Sequence, residues 1–114
     1  MTDIIKWLEQ WFEAQCDAPP GEETWAEEQG ITISTFAPPG WSVRIDITNT
    51  TVESAEFDKC EEYLDTNKWI RCYKKQKEQY GDVHTFFIGR CGPSRLADTL
   101  NIFRAWAEAN GTSP

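Results

Sequence analysis

The sequence lacks any long hydrophobic run. No stretch approaches the roughly 18 consecutive apolar residues that a membrane-spanning helix needs. The first six residues, MTDIIK, contain neither a basic segment followed by an apolar core nor a small-residue cleavage site, so they do not look like a secretory signal peptide. We therefore expect a cytoplasmic protein that has no membrane partner.

Histidine is scarce, and the four cysteines are not spaced as metal ligands usually are. Cys16, Cys60, Cys72 and Cys91 include no Cys-x-x-Cys pair, and His84 is the one histidine. A zinc site would need ligands that are all distant in sequence, which is unusual. Disulfides are rare in a reducing cytoplasm. We expect four free thiols, no metal and no cofactor; metal binding and redox chemistry are the less favoured alternatives.

The motifs of common enzyme classes are also missing. Neither the GxxxxGK[ST] nor the GxGxxG pattern of phosphate-binding loops occurs. His84 falls inside a predicted strand, where a single histidine is more often packed or exposed than catalytic. The glutamate pairs at 22–23, 27–28 and 61–62 lie in polar segments, whereas acid–base catalysis needs two carboxyls that converge in a cleft. We expect a protein that is not an enzyme.

Basic residues are few in the first half of the chain, and this makes the charge distribution uneven. Residues 1–65 contain 15 acidic and three basic residues, a net charge of −12, while residues 66–114 contain eight basic and four acidic residues, a net charge of +4. Such acidity repels nucleic-acid backbones and attracts a basic protein. Taken by itself, however, the charge favours a surface that only keeps the protein in solution.

Hydrophobic periodicity predicts one helix near each end of the chain. The first runs from about Thr2 to Gln15, and the second begins near Ser94 and stops near Asn110. Apolar residues recur at three- or four-residue spacing in both, including Leu8, Trp11, Leu100, Phe103 and Trp106. Trp106 therefore lies on a predicted buried stripe, and Trp106→Ala is expected to cost about 3–5 kcal/mol of stability.

Between the helices, the alternation of apolar and polar residues predicts strands. Residues 41–47 show it most clearly, with Trp41 on the predicted buried face, so the same loss is expected for Trp41→Ala. We predict further strands at residues 31–36, 69–74 and 83–88, and a weaker one at 51–57. We predict a loop at residues 58–68, or a short helix around 60–64. Short connections favour a meander.

The 114 residues fit a single domain, 1–114, and we predict an α+β fold: a meander-like antiparallel sheet of four to five strands, with the N- and C-terminal helices packed on one face.

Trp25 lies outside these predicted core stripes. It is surrounded by Glu22, Glu23, Glu27 and Glu28, and an aromatic residue ringed by polar groups suits a protein interface. The alternative is that the indole folds back as a lid on the core.

The order and spacing of several short motifs are similar to those of the immunity protein 53 family of bacterial polymorphic toxin systems. The chain matches at Cys16-Asp17, at Trp25, at Gly30-Ile31 and at residues 39–46 (PGWSVRID). Its first helix (IKWLEQWF, 5–12) resembles the opening of that family, and Gly92-Pro93, Leu96 and residues 102–108 (IFRAWAE) resemble its close.

This resemblance implies a protein that binds and neutralises a cognate toxin domain in the producing bacterium. The acidic half suits a basic toxin, such as one that cleaves nucleic acid. The candidate toxin-binding residues are Glu22, Glu23, Trp25, Glu27, Glu28 and Asp46. The alternative is a non-catalytic binding or regulatory module for a different basic protein.

Overall fold

A computed structural model describes residues 3–15, 30–37, 39–48, 50, 52–79 and 81–110. Its two helices are α1 (Ile4–Gln15) and α2 (Leu96–Ala109). The five strands are β1 (Ile31–Phe36), β2 (Gly40–Asp46), β3 (Cys60–Tyr63), β4 (Trp69–Gln79) and β5 (Asp82–Cys91). The α+β class, the five antiparallel strands and the two terminal helices are confirmed.

The strands form one antiparallel sheet in the order β1-β2-β5-β4-β3. Strands β3 to β5 form a meander, as expected, whereas the β1–β2 hairpin attaches to β5 and not to β3. The physical reason is the burial of β5, in which Thr85, Phe86 and Phe87 are at most 5% exposed. Such a strand is stable in the centre of the sheet, while the exposed β3 suits an edge.

The segment between β2 and β3 also differs from expectation. The predicted strand at 51–57 is absent from its described residues, because residues 52–55 turn, with the Glu53 amide donating to the Thr50 carbonyl and the Ala55 amide to the Val52 carbonyl. The Thr50 hydroxyl donates to the Ile47 carbonyl at 2.7 Å, a local bond that competes with strand pairing. Where a loop or short helix was expected at 60–64, the structure has β3.

Both helices pack on the same face of the sheet, as predicted. The rings of Trp7 and Trp11 contact Phe103 edge-on at centroid distances of 6.0 and 5.1 Å. Phe103 lies 5.0 Å from Phe87 of β5, so the aromatic contacts run from α1 through α2 to the sheet. Trp106 lies 5.3 Å from the ring of Phe57 in the loop before β3.

A glycine allows α2 to approach the sheet closely. A Cβ atom added at Gly89 of β5 would lie 2.5 Å from the Cγ2 atom of Thr99. Thr99 is fully buried, and its hydroxyl donates to the Arg95 carbonyl at 2.9 Å. The close packing of α2 therefore depends on the absence of a side chain at position 89.

No helix among the described residues is long and apolar enough to cross a lipid bilayer.

Trp41 and Trp106 are only partly buried. The Trp41 indole N–H donates to the Pro93 carbonyl at 3.1 Å, and the Trp106 indole N–H donates to the Glu56 carbonyl at 2.8 Å. Each ring thus covers the rim of the core and ties a loop to it. Phe103, which belongs to the same predicted stripe as Trp106, is 0% exposed.

Candidate protein-interaction surface

The sheet face opposite the helices forms a concave surface, and we call it the open face. It encloses about 410 Å³. Its lining alternates along the strands with the residues that face the helices. The lining residues are Thr32, Ser34, Ser42, Arg44, Tyr73, Lys75, Lys77, Phe86, Ile88 and Arg90.

Strand pairing brings basic residues together on the open face. In the register between β2 and β5, Arg44 lies opposite Ile88 and Ser42 lies opposite Arg90, so the two arginines are diagonal neighbours. On the other side of β5, Lys75 of β4 lies opposite Phe86. Lys77 is two residues further along the same side of β4. Four cationic side chains from three strands therefore share one concave face.

Three arginines of this face and its rim lie over aromatic rings. The guanidinium carbon of Arg44 is 5.3 Å from the centroid of Phe86, and that of Arg90 is 5.6 Å from Phe36. At the rim, Arg71 is 5.7 Å from the ring of Tyr73. These distances are within the range of cation–π attraction, which restricts the guanidinium groups without neutralising them.

The carboxylate of Glu61 pairs with two basic residues at the rim of the open face. Arg71 is 3.4 Å from Glu61, and Lys59 is 2.9 Å from the same carboxylate. The hydrogen bond and charge of Lys59, with a smaller contribution from Arg71, lower the pKa of Glu61. Within the described part of the chain, no carboxylate oxygen lies within 4.0 Å of a charged nitrogen of Arg44, Lys75, Lys77 or Arg90.

Asp46, a predicted contact residue, is the last residue of β2 and is only 3% exposed. Its Oδ2 atom is 2.8 Å from His84 Nδ1, and its Oδ1 atom accepts the Thr48 amide at 2.9 Å. The His84 ring stacks on Phe86 with a centroid distance of 6.2 Å. The carboxylate thus ties β2 to β5, and little of it is accessible to a partner.

The other predicted contact residues lie outside the described residues. They are Glu22, Glu23, Trp25, Glu27 and Glu28. Their role stays a prediction.

Three of the four cysteines lie between the sheet and the helices or at the β3 edge. Cys72 is fully buried, and its neighbours across the strands are Cys60 and Gly89. Burial, and to a lesser degree the nearby Cys60 and Cys91, raise the pKa of the Cys72 thiol to about 12. Burial also raises the pKa of Cys91. Thiols held protonated in this way are weak nucleophiles.

A second, more apolar surface lies at the β3–β4 turn. Tyr63 and Leu64 are 68% and 64% exposed, and a shallow hollow of about 340 Å³ forms beside Tyr63, Pro39 and Trp69. Exposed aromatic and aliphatic groups together are more typical of an interface than of a free surface.

Sequence reasoning did not identify the open face, although a signal was present. Arg71, Tyr73, Lys75 and Lys77 alternate with Ile70, Cys72 and Lys74, which is the two-residue period of a strand. The predicted strand ended at residue 74 because the following residues are polar, whereas β4 continues to Gln79.

Comparison with known proteins agrees with the resemblance in the sequence motifs. The family model described as Immunity protein 53 matches residues 5–108, which include all five strands and nearly all of both helices. No match was found among curated proteins or among solved structures. Because the match covers nearly the whole chain, this protein belongs to the immunity protein 53 family.

Proposed function

We propose that this protein binds a cognate toxin domain and neutralises it in the cytoplasm of the bacterium that produces both. The observation that carries the proposal is the family match over residues 5–108. Binding without catalysis is the mode of action that we infer.

The architecture supports a binding role. A sheet packed on one face by two helices presents the other face as a preformed surface, and a preformed surface loses little conformational freedom when it binds. The polar groups that could be mistaken for catalytic ones have structural partners: Asp46 holds His84 and the Thr48 amide, and Cys72 is buried.

We further propose that the acidic segment around Trp25 contacts a basic part of the toxin. Four glutamates flank Trp25 within residues 22–28. Their charge would speed the encounter with a basic surface, and a buried tryptophan would slow dissociation. A toxin that cleaves nucleic acid would present such a basic surface, because it binds phosphates.

The proposal is tested with a candidate toxin domain from a neighbouring gene, by isothermal titration for affinity and by surface plasmon resonance for the rates. We expect tight 1:1 binding. Changing Glu22, Glu23, Glu27 and Glu28 together to Lys should mainly slow association, and Trp25→Ala should mainly speed dissociation. No heat of binding to the toxin at micromolar concentrations would contradict the proposed function.

The alternative is a binding module for a different basic protein. Affinity purification from the native cell lysate, followed by mass spectrometry, separates the two. Recovery of the toxin domain supports the immunity function, whereas recovery of another basic protein in stoichiometric amount, without the toxin, supports the alternative.

A further inference from the structure

We propose that the open face binds an acidic segment of the toxin, whose carboxylates pair with Arg44, Arg90, Lys75 and Lys77. This inference rests on the proposed function, but it concerns different residues of the chain from Glu22, Glu23, Glu27 and Glu28, and a partner region of opposite charge. A toxin that carries both an acidic and a basic region would then meet residues of opposite charge at each, which favours one orientation of the bound toxin.

Positive charge is concentrated on the open face. The chain has a net charge of −8, yet four cationic side chains converge on one concave face. Like charges that are neighbours across strands destabilise a sheet, and the carboxylate of Glu61 at the rim pairs with Lys59 and Arg71 and not with these four residues. The contacts among the described residues do not account for this arrangement, whereas an anionic partner would turn the repulsion into attraction.

The two arginines of the open face are held over aromatic rings. Arg44 and Arg90 lie over the rings of Phe86 and Phe36, so their guanidinium groups are partly ordered before a partner arrives. A guanidinium group can donate two parallel hydrogen bonds to one carboxylate. Prior ordering reduces the entropy that such a bond costs, which favours a carboxylate-bearing partner.

The open face has a volume and a polar lining that suit a short acidic segment. A volume of about 410 Å³ is enough for a few side chains, and the hydroxyls of Ser34 and Ser42 line it beside the arginines. Hydroxyl groups can donate to carboxylate oxygens that the cations leave unfilled. The face is thus suited to a short acidic segment.

A single-stranded nucleic acid fits these observations less well. Proteins that bind it use exposed aromatic rings on which bases stack. Here Phe86 is 5% exposed and lies under Arg44 and beside His84, while Arg71 lies over Tyr73. The net charge of −8 also repels phosphates.

A direct test is an NMR titration of the isotopically labelled protein with a deca-glutamate peptide, and separately with deca-thymidine. We expect the peptide to shift the amide signals of β2, β4 and β5 residues of the open face at low salt. Shifts with deca-thymidine at lower concentration than with the peptide would overturn the proposal in favour of nucleic acid. Peptide shifts confined to other surfaces, or no shifts, would also overturn it.

A pair of matched variants tests the same face with the toxin. The triple variant Arg44→Gln, Lys75→Gln, Lys77→Gln removes three charges from the open face. The control Lys6→Gln, Lys68→Gln, Arg104→Gln removes three charges from positions outside it. We expect the first to weaken toxin binding by about tenfold or more, which corresponds to about 1.4 kcal/mol, and the control to change it less than threefold.

The outcomes separate the two proposals. If the wild-type protein binds the toxin and the open-face variant binds it equally well, the assignment of the open face is wrong and the immunity function stands. If the wild-type protein does not bind the toxin at all, the proposed function fails, and the deca-glutamate titration still decides whether the open face recognises carboxylates. We expect both triple variants to fold, because exposed lysines and arginines contribute little to stability. Circular dichroism of each variant checks this.

Discussion

The contact between Gly89 and Thr99 allows a sharp test of how α2 packs on the sheet. In Gly89→Ala the new methyl group would lie 2.5 Å from Thr99 Cγ2, about 1 Å closer than ordinary contact. Overpacking of this kind typically costs about 1–3 kcal/mol. Thr99→Ser removes the opposing methyl and keeps the hydroxyl that bonds to the Arg95 carbonyl, so it should cost about 1 kcal/mol, as the loss of one buried methyl group does.

The double variant Gly89→Ala, Thr99→Ser should be more stable than the sum of the single losses predicts. The alanine methyl would occupy the space that the threonine methyl leaves, so the two substitutions compensate. We expect a favourable coupling of about 1–2 kcal/mol, in the range found for residues in contact. Urea denaturation of the wild type, both single variants and the double variant gives this coupling directly.

Gly81 provides the matched control. It has a φ of +84° and no atom within 4 Å of an added Cβ, so Gly81→Ala should lose stability through backbone strain alone. Thr99→Ser should not rescue it. If the losses at 89 and 99 are additive, or if Thr99→Ser rescues Gly81→Ala equally well, the inferred contact between β5 and α2 is not the cause.

Three further predictions concern the core and the buried polar groups. Phe103→Ala should cost about 3–5 kcal/mol and Trp106→Ala less, because Phe103 is fully buried and Trp106 is at the rim; equal losses in urea melts would contradict this order. Asp46→Ala should lose about 1–3 kcal/mol, since it leaves two hydrogen-bond donors or acceptors unpaired, while Ser42→Ala on the same strand should change stability by less than about 0.5 kcal/mol. Burial raises the pKa of Cys72 to about 12, so Cys72 should be alkylated slowly in the native protein at pH 8, and fast alkylation detected by mass spectrometry would disprove its burial. The free energy of unfolding should also fall as the pH rises from about 9 to about 12, because the unfolded thiol ionises in this range and the folded one does not.

The sequence predicted those elements whose own side chains carry a clear period. Residues 41–47 alternate strictly, and the stripes at Trp7 and Trp11 and at Leu100 and Phe103 repeat at helical spacing, so their types and their shared core were predictable. The partner of each strand was not. Whether β2 pairs with β3 or with β5 depends on which strand gains most from central burial, and this is a property of the whole sheet.

The candidate surface was less predictable than the fold. The bases of the open face are spread over 44–90 in sequence, and register alone brings Arg44, Lys75 and Arg90 together. Asp46 looked like a solvent-facing residue because it alternates with Ile45 and Ile47, yet His84 covers it. A two-residue period assigns a side chain to a face of the sheet, but it does not tell which neighbours cover that face.

The most direct test of the central claim is bacterial survival during induced expression of the toxin domain encoded beside this gene. The toxin should stop growth when it is expressed alone, and co-expression of this protein should restore growth at a level that rises with its amount, as stoichiometric binding requires. A plasmid that carries the immunity gene with a premature stop codon serves as the control and should not protect. Equal killing with and without this protein, at comparable toxin levels, would contradict the account.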